Sequence, residues 1–318
     1  MTASASIAIV RMFIVRPSAE VDDLPIPYIE RTRGYYRALG YLEPYRWATF
    51  DEVPLHRLTM PLTAARVAII TTAAPYQPGK GDQRATAPTN AAAKFYTVYS
   101  ADSASDPDLR ISHVAIDRDH TSGDDIGSYF PLRALRQAAA AGSIGSVAAR
   151  FHGLPTNRSQ RATLDVDVAE IIARCRQDRV DAVVLAANCP ICHQSVSLAA
   201  RRLEAAGIAT VVMGCALDIV EHVGVPRYLF SDFPLGNAAG RPHDKASQKL
   251  TLALALDLLA AATSPRTTNR SPLRWNGKSG WKNDYANASR LTAEELQRRR
   301  AEFDRGRETA RSLRADCP

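Results

Sequence analysis

The chain has 318 residues, 46% of them apolar and 23% charged, enough to bury one large core or two smaller ones without disulfide staples. No stretch approaches the ~20 consecutive apolar residues of a membrane span, and the composition is not that of a disordered chain. The formal charge of +7 does not point to nucleic acid, because much of the excess lies in LQRRRAEFDRGRETARSLR, where acids interleave with arginines as on a solvated helix.

The opening run, MTASASIAIVRMFIVRPSAEVDDLP, has a short apolar stretch with no basic segment ahead of it and no small-residue cleavage site, so it does not read as a secretory signal. The expected location is cytoplasmic. In that reducing compartment the five cysteines are expected to be free, metal-bound or catalytic rather than bridged. Residues 1–60 read as an N-terminal arm that includes the aromatic, proline-bearing piece YYRALGYLEPYRWATFDEVP. Residues 61–263 read as the core domain, one unit or two α/β halves. There ARVAIITTA (65–73) is a strand, PYQPGKGDQRATAPTN opens a long polar loop (75–109), and RISHVAID (110–117) is a strand. PLRALRQAAAAG (131–142) is a helix and IGSVAARF (144–151) a strand. VDVAEIIARCRQD (166–178) is a helix with one apolar face, followed by the strand VDAVVLAA (180–187). A helix over about 191–206, the strands IATVVMG (208–214) and PRYLFSD (226–232), and the helix KASQKLTLALALDLLAAAT (245–263) complete the core. Residues 264–318 read as a C-terminal arm ending in a basic helix, and the tryptophans and tyrosines of both arms are expected to pack rather than bind. Nearly continuous apolar strands separated by helices predict a three-layer α/β fold of Rossmann-like or flavodoxin-like type, with a mainly parallel sheet covered on both faces.

In such sheets ligands bind beyond the carboxyl ends of the strands. Cys189 and Cys192 follow one strand there and Cys215 another. Asp232 closes a third, Asp117, Asp119 and His120 end or follow the strand 110–117, and His152 follows the strand 144–151. Asp232, Gly236 and Gly240 of DFPLGNAAG are expected to shape the loop beside Cys189.

The motif Cys189-Pro-Ile-Cys192-His193 is compatible with haem attachment, half a zinc site or a redox dithiol. Haem attachment goes with export. Zinc needs two further ligands, and no second pair at ligand spacing is present, so no metal is expected. Pro190 suits the first helical position, which puts Cys189 at the N-cap. Unpaired backbone N–H groups and the positive end of the helix dipole would there favour a thiolate. Cys192 lies one turn on, placed to resolve an oxidised Cys189. His193 is rotated a further ~100° and need not share the site. Cys175, on the apolar face of a helix, and Cys215 read as small core residues, and Cys317 as inert.

Beyond that single motif, an ordered set of segments between about residues 40 and 245 resembles one family: GYLEPYRWA, ARVAIITTA, ISHVAIDRDHTSGDDIGSYFPLRALRQAAAAGSIGSVA, ANCPICHQS and MGCALDIVEHVGVPRYLFSDFPLGNAAGRP. The family is that of the selenoprotein B type subunits of the glycine, sarcosine, betaine and D-proline reductases, with the strongest likeness to the D-proline branch. The resemblance maps the family's selenocysteine onto Cys189 and its second cysteine onto Cys192. Sulfur in place of selenium makes a weaker nucleophile at neutral pH. The resemblance implies reductive cleavage of a carbon–heteroatom bond in a small amino-acid-like or heterocyclic substrate, with a dithiol or thioredoxin-like reductant. It also implies a homo- or hetero-oligomer, in which a partner subunit carries a pyruvoyl group that holds the substrate amine as a Schiff base. Asp117, Asp119 and His120 are the candidates for protonating the leaving group; His152, Asp232, Gly236 and Cys215 are candidate substrate-binding residues. The alternative expectation is a non-catalytic or redox-sensing subunit whose dithiol forms a regulatory disulfide or binds metal.

Overall fold

A computed structural model of the protein describes residues 24–276 and 279–315; most of the opening run and Cys317 lie outside them. The core is an α/β sandwich on a mainly parallel sheet. Its strands are β1 (Arg66–Thr71), β3 (Tyr99–Asp102), β5 (Ser146–Val147), β6 (Arg150–Gly153), β7 (Ala182–Ala186), β8 (Ala209–Gly214), β9 (Arg227–Phe230) and β10 (Thr267–Arg270). Two further short strands, β2 (Ala74–Pro75) and β4 (Leu109–Arg110), pair antiparallel in a small sheet of their own. The order across the main sheet is β10-β9-β8-β7-β1-β6-β3, with β5 also paired to β1.

The central strands are short, rich in valine and isoleucine, and buried on both faces, as a sheet covered by helices on both sides requires. Val184 of β7 lies between Ile69 of β1 and Val211 of β8. Helices α2 (Leu132–Ala140) and α7 (Lys245–Ala261) pack together on one face, and α4 (Val168–Gln177), α5 (Pro190–Ala205) and α6 (Leu217–Val223) adjoin one another on the other. A short helix α3 (Gln160–Ala162) leads through a π turn into α4.

Four sequence expectations change. Residues 110–117 do not form a core strand. Only Leu109–Arg110 is extended, and the rest turns back on itself, with Val114 N donating to the Ile111 carbonyl and Ile116 N to that of Val114. The strand expected over 144–151 is interrupted: β5 and β6 are two pieces either side of a break, both running along β1. The polar loop over 75–109 contains β3, an antiparallel edge strand whose Ser100 pairs with His152. The C-terminal arm opens as the edge strand β10, in register with β9, before reaching the expected basic helix, α8 (Ala293–Ala315).

The arms close one corner of the sheet. Helix α1 (Tyr28–Ala38) lies against the C-terminal arm, with the Tyr28 and Tyr285 rings 5.4 Å apart and Arg31 donating to the carbonyls of Lys282 (3.3 Å) and Tyr285 (3.0 Å). Tyr28 and Trp281 are buried with Cys215, Ala216, Phe233 and Leu235 in a second apolar cluster at the carboxyl ends of β8 and β9. The aromatic residues of the arms that fall there thus pack on the core.

The chain leaves β1 toward β6 on one side of it and leaves β7 toward β8 on the other. The topological switch point is therefore the crevice beyond the carboxyl ends of β1 and β7, where open parallel sheets hold ligands.

Candidate active site

Cys189 stands at that switch point. Its backbone is extended (φ −138°, ψ 169°), Pro190 takes the first helical position of α5, and its Sγ accepts the backbone N–H of Cys192 at 3.1 Å. This is the N-cap the sequence predicts. Cys189 and Cys192 are joined as a disulfide, with Cα atoms 4.8 Å apart. In the reduced form, the N–H groups and helix dipole that surround this sulfur stabilise a thiolate.

His193 has a role the motif did not disclose. Its ring is fully buried; Nδ1 lies 2.7 Å from the Cys189 carbonyl, and Nε2 accepts the N–H groups of Cys215 (2.8 Å) and Ala216 (3.1 Å). Two donors at Nε2 and a carbonyl at Nδ1 fix one neutral tautomer, with the proton on Nδ1. The ring is a strut between the loop after β7 and the loop after β8. Gly214 makes room for it, since a Cβ there would stand 2.6 Å from the imidazole. Replacing His193 with leucine would strip two buried amides and a carbonyl of their partners, so a loss of about 3 kcal/mol or more is expected in urea unfolding; a change below about 1 kcal/mol would refute the strut.

Burial holds His193 and His152 down to about 4 and His113 to about 3. Each takes up a proton more readily when unfolded, near ~6.5. Each therefore contributes stability that is present above that value and lost as pH falls toward the folded one. Burial also raises Asp117 and Asp167 to about 6, which acts in the opposite direction between ~4 and ~6. Burial raises Glu204 and Asp218 as well, so the carboxyls offset the imidazoles at acid pH, and the urea midpoint should rise between about pH 6 and about pH 7, where the imidazoles dominate. A flat or falling profile would show that these imidazoles are not buried and neutral.

Beside Cys189 the switch point carries three polar residues that sequence reasoning passed over. Asn188 Nδ2 donates to Thr72 Oγ1 at 3.2 Å, and His113 Nε2 lies 3.1 Å from the Thr72 carbonyl. His113 Nδ1 and Asn188 Oδ1 are buried with no hydrogen-bond partner. His113 was hidden in a segment read as a strand. Thr72 and Asn188 had a usable signal, since each lies within two residues of the end of one of the two central strands.

The other expected site residues divide. Cys215 is joined to the Cys189 loop through His193, and burial pushes its thiol well up, as it pushes Cys175 up to about 12. Asp117 is buried, with Oδ1 accepting the N–H groups of Asp119 and His120 (both 3.2 Å) and Oδ2 without a partner. Its own N–H donates to the Leu235 carbonyl at 3.0 Å, which docks this loop on the 233–238 loop. Asp119 is exposed, and His120 turns to the C-terminal arm, Nε2 to Asp284 Oδ2 2.8 Å. Asp232 also faces that arm, accepting from Lys282 (2.6 Å) and Arg270 (2.7 Å). Gly236 has a φ of +107°, and a Cβ there would stand 2.8 Å from Thr121, so glycine serves the close packing of two loops. Gly240 likewise lies against the Gln248 backbone. His152 lies within β6 rather than beyond a strand end, with Nδ1 2.8 Å from Ser100 Oγ and Nε2 buried without a hydrogen-bond partner.

Cys189 is only 3% exposed and Cys192 is wholly buried. Two shallow cavities, one lined by Arg57, Leu62 and Arg227 and the other by Val220, Val225 and Thr268, open near the amino ends of strands and do not include the dithiol. Among the described residues no group of three or more His, Cys, Asp or Glu side chains converges as a metal site, and no helix is long and apolar enough to cross a membrane.

Comparison with known proteins finds a D-proline reductase subunit gamma from Acetoanaerobium sticklandii, 29% identical over 193 residues that cover 60% of this chain and 77% of the relative. Glycine reductase complex component B subunits gamma are also similar. That of Symbiobacterium thermophilum is 24% identical over 71% of this chain and 52% of its own length, and that of Carboxydothermus hydrogenoformans 25% over 69% and 51%. The chain thus spans about half the length of these glycine reductase relatives. No family model and no solved structure matches it.

Proposed function

We propose, from the likeness to the glycine and D-proline reductase subunits of the selenoprotein B family, that the chain is a thiol-dependent reductase cleaving a carbon–nitrogen or other carbon–heteroatom bond in a small amino-acid-like or heterocyclic substrate. The observation that carries the reading is the Cys189 sulfur capping α5 at the switch point with Cys192 one turn on. The Cys189 thiolate attacks the carbon that bears the leaving group; a carbon–sulfur bond forms, and the heteroatom departs with the bonding pair and takes up a proton. Cys192 then attacks the Cys189 sulfur: the disulfide forms, the carbon–sulfur bond breaks, and the carbon leaves with that pair and a proton. The substrate gains two electrons, the cysteines lose two, and an external dithiol restores them. Asp117, buried with Oδ2 free of protein partners and raised to about 6, is the candidate to deliver a proton near neutrality. A hetero-oligomeric setting follows from the subunit character of the relatives, and the pyruvoyl group belongs to such a partner.

A second reading, a redox-sensing subunit, is favoured by one observation, the deep burial of the dithiol. Alkylation separates the two. After reduction with dithiothreitol, iodoacetamide at neutral pH should modify Cys189 ahead of Cys175, Cys192 and Cys215 in the native protein, as read by peptide mass spectrometry. Cys189 that reacts only after denaturation would overturn the catalytic reading.

A further inference from the structure

We propose that His113 and Asn188 form a hydrogen-bond-acceptor subsite beside Cys189 that selects a neutral ligand group bearing N–H, such as a carboxamide or a heterocyclic N–H; the inference rests on the reading of Cys189 as the nucleophile. A carbonyl oxygen can only accept, so the Thr72 carbonyl 3.1 Å from His113 Nε2 puts the imidazole proton on Nε2 and a lone pair on Nδ1. Asn188 turns its amide nitrogen to Thr72 Oγ1 and leaves its own oxygen free of protein partners.

Both side chains are anchored on the same residue, Thr72, which follows β1 at the switch point, and Asn188 immediately precedes Cys189. His113 is 4% exposed and Asn188 0%. A buried acceptor without a donor is destabilising, and two anchored on one residue at a ligand-binding edge call for a donor from outside the chain. The charges acting on His113 are the cations of Lys94 and Arg118. They repel an ammonium, while the two lone pairs repel a carboxylate, which leaves a neutral donor. An amide N–H group meets both requirements and sits next to a carbon that the neighbouring sulfur can attack.

The test uses iodoacetamide and 2-iodo-N,N-dimethylacetamide on the dithiol-reduced full chain, with glutathione giving the intrinsic reactivity ratio. Wild type should favour iodoacetamide at Cys189 by about tenfold beyond that ratio, the worth of one good hydrogen bond. His113→Leu and Asn188→Leu should each bring the preference down toward the glutathione value. In wild type, acetamide should slow labelling by iodoacetamide and N,N-dimethylacetamide should not, a measurement that stands even if a variant fails to fold. Labelling at the glutathione ratio in wild type would overturn the subsite and leave the nucleophile standing. A preference that persists undiminished in both variants would mean size exclusion, and also overturns it. No labelling of native Cys189 by either reagent removes the subsite and the nucleophile together.

Discussion

Replacing Cys192 with serine is expected to trap a stable mixed disulfide on Cys189 when the reduced protein meets glutathione disulfide. The wild-type protein should instead pass straight to the internal Cys189–Cys192 disulfide. The reason is positional. Cys189 Sγ accepts the N–H of Cys192 at the first turn of α5, so its thiolate is favoured, while Cys192 is buried behind it with its Cα 4.8 Å away. Once the outer sulfur is bonded to glutathione, only Cys192 is placed to displace it. Cys189→Ser removes the attacking sulfur. Of the described thiols that remain, Cys192 is wholly buried, and Cys175 at about 12 and Cys215, also well raised by burial, keep a negligible thiolate fraction at neutral pH. The rate of glutathionylation at the described thiols should then fall by roughly 10³-fold or more relative to Cys192→Ser, since the start of α5 favours the Cys189 thiolate. Intact-mass measurements distinguish all three species. Equal trapping on Cys189 in wild type and Cys192→Ser would show that Cys192 does not resolve, and the reductive cycle above would lose its second half.

The parts of this site that were legible in the sequence are those with a local cause. Proline at the first helical position and a cysteine before it define a cap from a few consecutive residues, and the apolar runs of β7 and β8 define buried parallel strands. What escaped has a non-local cause. His193 is rotated away from the cysteines on the helix, and only the arrival of the β8 loop, through the amides of Cys215 and Ala216, gives its second nitrogen a partner. RISHVAID alternates like a strand, but its backbone is tied into turns, and the loop that follows docks on the 233–238 loop through the Leu235 carbonyl, which accepts from Asp117 N and Thr121 Oγ1. That contact joins segments more than a hundred residues apart and leaves no local pattern. His152 shows the same limit in reverse: after the break between β5 and β6 the strand resumes as Arg150–Gly153, which places His152 within the sheet and not beyond a strand end.

At the opposite end of α5 the fold depends on a buried ion pair, and breaking it is expected to be the most destabilising single change outside the site. Glu204 and Arg227 are both 0% exposed, with Oε1 accepting from Nη1 at 2.7 Å. The carboxylate also accepts from Thr210 N (2.5 Å), Thr210 Oγ1 (2.7 Å) and His56 N, while Arg227 Nη2 donates to the His56 carbonyl at 2.8 Å. The pair therefore fastens the N-terminal segment, the end of α5 and the starts of β8 and β9 in one place. Arg227→Met would leave the carboxylate buried without its cation, which costs about 3–5 kcal/mol. Adding Glu204→Leu should recover part of that loss, because an apolar pair carries no uncompensated charge; the coupling between the two changes is expected at about 2 kcal/mol in a urea double-mutant cycle. Additive losses would mean that the two side chains act separately, as packing groups. The pair lies about 22 Å along the helix from Cys189, fifteen residues at 1.5 Å each. Folded Arg227→Met should accordingly alkylate Cys189 at the wild-type rate, so that lost stability and lost reactivity separate at the two ends of one helix.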